Sequence, residues 1–432
     1  MTQFVLFRIY CTSSVEIVFG CDCELPASSL RITQQTSTRR VFHTVSKGCT
    51  EYFAMSRVIT AGIILNALGI LAWATLGSAE ESVPCRFRQA PNGAQATFTE
   101  RMQVTPPRPL KTGGLNGVVM DHTANHGADR RVYAPSLQSK RDLYVYLPPG
   151  YDPHRRYPLL IFLHGYMQDE QGFLRYVAKP LDEAISRGEL PALIAAAPDG
   201  SLRGRPGPRD IGSFYIDSCA GNYQSWIVND VWNFLHENYP ILPQREAHII
   251  AGVSMGGFGA YNIAFKHRDR FRIVLGILPA LNLRWLDCHG NYFGNFSPYC
   301  WAWRNRADNP NEVIGSFFHG LVTITMQEAI YPVFGRGPEG IVKASYENPI
   351  EMIDRLGIKP GEFDLFVGYA GQDEFNLDAQ AESFIYMCRS RGLEITVWCD
   401  PKGRHNISTA RRMIAPAKDW LAKKLADQGI RP

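Results

Sequence analysis

No long run of lysine and arginine stands out in this 432-residue chain, and its formal net charge is only +4. Without a basic stripe there is no electrostatic footprint for a nucleic-acid partner, and none is expected. Arg-rich spots such as 203–209 (RGRPGPR) are short, and this one is broken by Gly and Pro and reads as a solvated loop. The chain also lacks the paired short cysteine spacings of a zinc site. His122 and His126 stand four apart, but no helix carries them and no third ligand is evident, so no metal is expected there. There is no internal repeat. What is present is ordinary globular composition, 45% hydrophobic and 20% charged, in a length that allows one large domain or two smaller ones.

A targeting signal is present, but it does not begin at residue 1. From Met55 the chain reads MSRVITAGIILNALGILAWATLGSAEE. Arg57 supplies a positive start, 58–76 are largely apolar, and Gly77, Ser78 and Ala79 are small residues ahead of an acidic pair. That layout predicts a secretory signal peptide over 55–79, cut after Ala79, and hence a secreted or periplasmic protein. If uncleaved, the same segment would be its membrane contact. Residues 1–54 show neither helical nor strand periodicity, and they read as an upstream extension from a mis-assigned gene start, with Met55 the true first residue. N-terminal sequencing of the precursor from its native host tests this, and recovery of any peptide from 1–54 would defeat it. The exported chain keeps Cys85, Cys219, Cys288, Cys300, Cys388 and Cys399. An even count in an oxidising compartment permits disulfides, with about 15 possible pairings. Cys288 with Cys300, and Cys388 with Cys399, are the two candidate pairs by proximity.

Residues 80–116 are rich in Pro, Thr, Gly and Arg and read as a linker or irregular arm. From 117 to 428 the pattern is that of one domain. Short apolar runs recur at 118–120, 142–147 (DLYVYL), 158–163 (PLLIFL), 192–197, 248–253 (HIIAGV), 271–277, 363–367 and 394–398. Helical patterns lie between them at 174–187 (interrupted at Pro180), 223–238, 255–267, 379–391 and 408–425. The alternation predicts an α/β fold with a mostly parallel central sheet and helices on both faces. DLYVYL is expected to pair antiparallel at the sheet edge. One stretch, 283–350, breaks the alternation with Trp285, Trp301, Trp303, Tyr292, Phe293, Phe317 and Phe318 among many Gly, Pro and Asn. This aromatic-rich insertion precedes the penultimate strand and reads either as a cap or as an extra packing layer.

The chemistry gathers around residues 252–257 (GVSMGG), a G-x-S-x-G element between an apolar strand and an amphipathic helix. Small residues at 252 and 256 let the turn tighten until the Ser254 hydroxyl projects from the sheet. A serine hydroxyl is a weak nucleophile and needs a base. In folds built on this elbow the order along the chain is Ser, acid, His. His405 is the one histidine after His319, in a loop ahead of the last helix. Asp373 follows the penultimate strand and is the expected acid, with Glu374 and Asp378 as alternatives. Oxyanion donors are expected from the backbone of Met255 and of the turn after PLLIFL, at Tyr166, with His164 in a structural role. The sequon 406–408 (NIS) abuts His405 and is not expected to be glycosylated.

Taken together, 144–151 (YVYLPPGY), 157–165 (YPLLIFLHG), 198–200 (PDG), 221–223 (GNY), 252–257, 373–375 (DEF) and 403–405 (GRH) resemble the putative-esterase family of α/β-hydrolases. That family includes esterase D, feruloyl and acetylxylan esterases and the mycolyltransferases. The resemblance covers roughly 117–425 and implies an α/β-hydrolase with a Ser–His–Asp triad, an acyl-enzyme and no cofactor. The expected function is secreted carboxylic-ester hydrolysis of a small-molecule or polysaccharide-linked ester, feruloyl or acetyl. Acyl transfer to a sugar or lipid acceptor is the second reading, and a non-catalytic carbohydrate-binding relative the third.

Overall fold

The computed structural model describes residues 108–110, 112–204, 212–317 and 320–432. The expected extension 1–54, the signal peptide with its cut after Ala79, Cys85 and all but the end of the 80–116 arm lie outside the described residues, as does most of the Arg-rich 203–209 loop.

Nine strands form one sheet: β1 Arg108–Leu110, β2 Val118–His122, β3 Leu143–Leu147, β4 Leu159–Leu163, β5 Ile194–Pro198, β6 His248–Val253, β7 Ile273–Ile277, β8 Asp364–Ala370 and β9 Ile395–Asp400. Their spatial order is β1-β2-β3-β5-β4-β6-β7-β8-β9. From β5 to β9 every neighbouring pair is parallel, and β1, β2 and β3 are joined antiparallel. The parallel run needs helical crossovers on both faces, so its strands are buried on both sides and read as continuous apolar runs. Side-chain alternation sorts each strand between two cores. Leu143, Val145 and Leu147 of β3 and Ile250 of β6 face one core. Tyr144, Tyr146, Ile249 and Ala251 face the other.

Helices cover both faces. The helical segment 223–238 (whose middle, Trp226–Val231, is π-helical), the helix Met255–Lys266 and the helix Leu377–Ser390 lie against the first core. We label α1 Gln171–Tyr176, α2 Ala178–Ser186, α3 Met255–Lys266, α4 Leu377–Ser390 and α5 Ile407–Asp427. α1, α2 and α5 lie against the second core.

Four expectations are corrected. DLYVYL is not at the edge: β3 is the third strand, hydrogen-bonded to β2 and β5 and buried along its whole length. β1, at the end of the stretch read as a linker, supplies the edge instead. The 174–187 helix breaks at Val177 rather than at Pro180. Pro180 sits in the first turn of α2, where its missing N–H would have no helical acceptor in any case. Finally, Cys388 and Cys399 are both free. Cys388 is fully buried on α4, whereas Cys399 bonds Tyr369 and feels the charge of Glu382. Cys388 points into the core between its helix and the sheet, while Cys399 lies on the edge strand paired with Tyr369, so the fold does not bring the two thiols together. The other expected pair, Cys288–Cys300, is bonded, and Cys219 is also in a disulfide. Among the described residues no helix is long and apolar enough to cross a membrane.

Candidate active site

β6 runs up the middle of the sheet and ends at Val253, and α3 begins at Met255. Ser254 lies between them at φ 54° and ψ −117°, a conformation that costs a non-glycine residue about 1–3 kcal/mol. The turn is held by its own backbone. The Ser254 N–H donates to the Ile277 carbonyl at 2.8 Å, and the Ser254 carbonyl accepts from Phe258 at 3.0 Å. The two glycines are needed for close approach. A Cβ on Gly252 would come within 2.2 Å of the Gly256 carbonyl, and one on Gly256 within 2.0 Å of the Leu163 carbonyl at the end of β4. The strained elbow is therefore wedged between two strands that share its register.

His405 enters from the loop between β9 and α5. Its Nε2 is 2.9 Å from Ser254 Oγ and its Nδ1 is 2.8 Å from Asp373 Oδ2. The Asp373 side chain is 1% exposed and that of His405 14%. Asp373 Oδ1 accepts the Phe375 N–H at 2.9 Å, which fixes the carboxylate plane. With Nδ1–H donating to a carboxylate, Nε2 is left to accept the serine proton. Burial of the imidazole works against its charge, but the Asp373 carboxylate, its hydrogen bond and the nearby Glu374 outweigh that and hold the His405 pKa above its ordinary value.

The two alternative acids go elsewhere. Glu374 Oε2 accepts the backbone N–H of His405 at 2.8 Å, and its other oxygen pairs with Arg404 at 3.1 Å. Asp378 sits in the first turn of α4, where burial pushes its pKa up to about 6. Of the three carboxylates, Asp373 is the one hydrogen-bonded to the imidazole.

The expected oxyanion region is also close. Gly165 packs against Ser254, since an added Cβ would stand 3.5 Å from Ser254 Cβ. Tyr166, Met255, Ser254 and His405 line one cavity of about 590 Å³. Met255 opens α3, so its N–H has no acceptor within the helix. His164 is buried and structural, as expected: its Nε2 accepts the Gly200 N–H at 2.9 Å and its carbonyl accepts the Tyr215 hydroxyl at 3.1 Å. Behind it lie Asp142, Glu170 and Asp199, where burial pushes Glu170 up to about 9 and Asp142 up to about 6. Each of these carboxylates already accepts a bond, from Ala124, Asn125 and Ser201 respectively. A second set with metal-ligand chemistry, Cys288, His289 and Cys300, has two members tied in the disulfide. None of these residues is among those lining the cavity that holds Ser254. His122 and His126 each bond a tyrosine hydroxyl at 2.9 Å, Tyr239 and Tyr144, as befits satisfied structural histidines.

The sequence did not point to particular contacts from the insertion. It folds as two small hairpins, Trp285–Asp287 with Trp301–Trp303 and Val313–Phe317 with Val322–Thr325, followed by short helices. It forms both a cap and a packing layer. Tyr292, Arg304, Ile314, Ile324 and Met326 roof the cavity. The Tyr292 hydroxyl donates to the Phe375 carbonyl at 2.8 Å and its own carbonyl accepts from Asn376 at 2.7 Å, which ties the cap to the loop that carries Asp373. Trp285, by contrast, is fully buried and stacked on Trp301, so it offers no face for a sugar ring.

A family model described as "Putative esterase" matches residues 134–322. The chain is 26% identical over 161 residues to the S-formylglutathione hydrolase of Arabidopsis thaliana, across 35% of this chain and 55% of that one, so it spans about half that relative's length. It is 23% identical over 224 residues to an acetyl esterase of Caldicellulosiruptor saccharolyticus, across 50% of this chain and 70% of that one. Among solved structures, a ferulic acid esterase matches with a TM-score of 0.51 at 18% identity, covering 72% of this chain and 99% of the other. Likeness of that kind establishes a shared fold, the α/β-hydrolase sheet.

Proposed function

We propose that the chain, which a family model described as "Putative esterase" matches over residues 134–322, is a serine carboxylic-ester hydrolase that forms an acyl-enzyme on Ser254. The observation that carries this reading is the continuous hydrogen-bonded line from Ser254 through His405 to Asp373, at 2.9 and 2.8 Å, opening into an apolar cavity. Ser254 Oγ attacks the ester carbonyl carbon while its proton passes to His405 Nε2. The tetrahedral oxyanion is held by the backbone N–H groups of Met255 and Tyr166. Its collapse breaks the bond to the alcohol, which leaves with the proton from His405. Water then attacks the acyl-enzyme by the same steps, and the acid is released. Asp373 orients the imidazole and balances its charge without itself taking the proton.

The pH profile tests the base. His405 must be neutral to accept the serine proton, and Asp373 favours its charged form, so the neutral form is lost as pH falls through a pKa above the ordinary value of about 6.5. For p-nitrophenyl acetate, kcat/KM should fall about tenfold per pH unit below a midpoint that lies above about 6.5. A profile flat between about pH 5 and pH 9 would remove His405 from the base role.

The protein acts outside the cytoplasm on this reading, after removal of 55–79. The Cys288–Cys300 disulfide supports an oxidising compartment. Carbohydrate-linked esters are the proposed substrates, a reading supported by the ferulic acid esterase among the structural neighbours.

A further inference from the structure

The cavity has a second arm that leaves Ser254 on the side away from the cap. It descends along the face of β4, β6 and β7 that belongs to the second core, in the gap between α2 and α5. Its floor is Phe162, Ala251 and Leu275, and its walls include Leu181 of α2 and Ile414 and Leu421 of α5. This is an unusual place for space. The face of a central parallel strand is normally covered by its helices and packed to crystal-like density. Here Phe162 and Ile277, on inner strands, are only half-buried, and so are Val177 and Ile414 opposite them.

Side-chain size keeps the arm open. Ala251 on the floor and Ala410 and Ala417 on α5 present methyl groups where larger residues would close the gap. On α5, residues 410, 414, 417 and 421 fall on one face by helical spacing, and all four are apolar. Because α5 starts beside His405 and runs back down the sheet, that stripe follows the strands from their catalytic ends downward. From Val253 to Ile249 the floor extends four strand residues, about 13 Å. At the deep end the Lys418 ammonium is paired with Glu189, which joins α5 to the segment after α2, while Lys418 itself lines the arm.

We propose that this arm binds a linear alkyl chain carried by the ester, so that the substrate class is an ester with a medium to long aliphatic chain. The inference rests on the serine-hydrolase reading of Ser254 and adds where the chain goes. The slot is mostly apolar and continuous with the nucleophile, and its floor of Phe162, Ala251 and Leu275 offers no polar side chain to pair with a sugar or a peptide. A flexible chain of methylenes matches it, and each methylene withdrawn from water strengthens binding roughly fourfold. Ser254 Oγ would still bond the carbonyl carbon and the alcohol would leave with the His405 proton. The chain can belong to the acyl half, with a carbohydrate as the alcohol, or to the alcohol half, in which case the ester is not carbohydrate-linked.

The test compares p-nitrophenyl dodecanoate with p-nitrophenyl acetate for the acyl half, and dodecyl acetate with ethyl acetate for the alcohol half, all below their micelle concentrations. In the full exported chain, at least one of the two kcat/KM ratios should exceed tenfold in favour of the long chain, and the pair that responds identifies the half. The same ratio should fall at least tenfold in Ala410→Phe and in Ile414→Trp, two positions that are half-buried at the slot and can accept a larger side chain. Both ratios below tenfold with measurable acetate turnover would overturn the alkyl slot and leave the esterase reading standing. A high ratio that neither variant changes would also overturn it, because the chain would then bind elsewhere. Loss of all ester turnover in the unmodified chain would instead defeat the underlying esterase reading, and the slot with it.

Discussion

Ser254→Ala is expected to lower kcat for p-nitrophenyl acetate by about 10⁶-fold, the scale seen when a serine-hydrolase nucleophile is removed. The argument is geometric. Ser254 Oγ is the oxygen held 2.9 Å from His405 Nε2, and it projects from a strained elbow into the cavity. Nothing in the fold depends on that hydroxyl. The turn is held by backbone bonds to Ile277 and Phe258 and by the close approach of Gly252 and Gly256. The variant should therefore melt within a few degrees of the parent, since a change on the order of 0.5 kcal/mol moves the midpoint by only about 1–2 °C in a domain this size. What turnover remains should reflect substrate binding and the oxyanion donors alone. Steady-state kinetics on the purified chain decides it, and retention of even a tenth of the parent rate would refute Ser254 as nucleophile.

Asp373→Asn carries the second largest effect, a fall in kcat of about 10⁴-fold with the fold intact. The carboxylate accepts from His405 Nδ1 at 2.8 Å and from the Phe375 N–H at 2.9 Å. An asparagine amide can turn its NH₂ toward the imidazole, which then carries its proton on Nε2 and has no lone pair for the serine hydroxyl. Asp378→Asn should cost less than about tenfold, because that carboxyl is buried in the first turn of α4 and is not hydrogen-bonded to the ring. Glu374→Gln should be intermediate, since Glu374 holds the His405 backbone and adds favourable charge beside the imidazole. Equal losses for Asp373→Asn and Asp378→Asn would show that the acid has been misplaced.

The order of these losses also separates the local from the distant in this chain. Ser254 was legible because its whole context is written within a dozen residues: HIIAGV, two glycines, and the start of an amphipathic helix. His405 and Asp373 were legible through chain order, as each follows a recognisable apolar strand. Asp373 ranked first by its place after the strand, but the choice against Glu374 and Asp378 stayed open in the sequence, because it turns on which way three carboxylates in one short loop face. The cap contacts were equally hidden. Tyr292 holds the acid loop through bonds to residues more than 80 positions away, and no periodicity marks such a partner.

The same division explains the corrections. DLYVYL alternates as a strand should, yet alternation is the same at an edge and in the interior, and the burial of β3 on both sides depends on β1 and β2 adding beyond it. Cys388 and Cys399 are close in sequence, but the fold sends one into the helix–sheet core and the other beside Tyr369. The alkyl slot is the extreme case. Its floor comes from three strands and its walls from two helices more than 200 residues apart, each of which reads as an ordinary core element. Sequence alone determined the elements, the elbow at Ser254 and the order of its partners, since those follow from periods of two and 3.6 residues and from turn chemistry between neighbours. Only the tertiary structure decided which acid meets the imidazole, which cysteines pair and where space remains beside the nucleophile, since those are distances between residues that packing alone brings together. Ser254 and His405, 151 positions apart and 2.9 Å from each other, are the clearest instance.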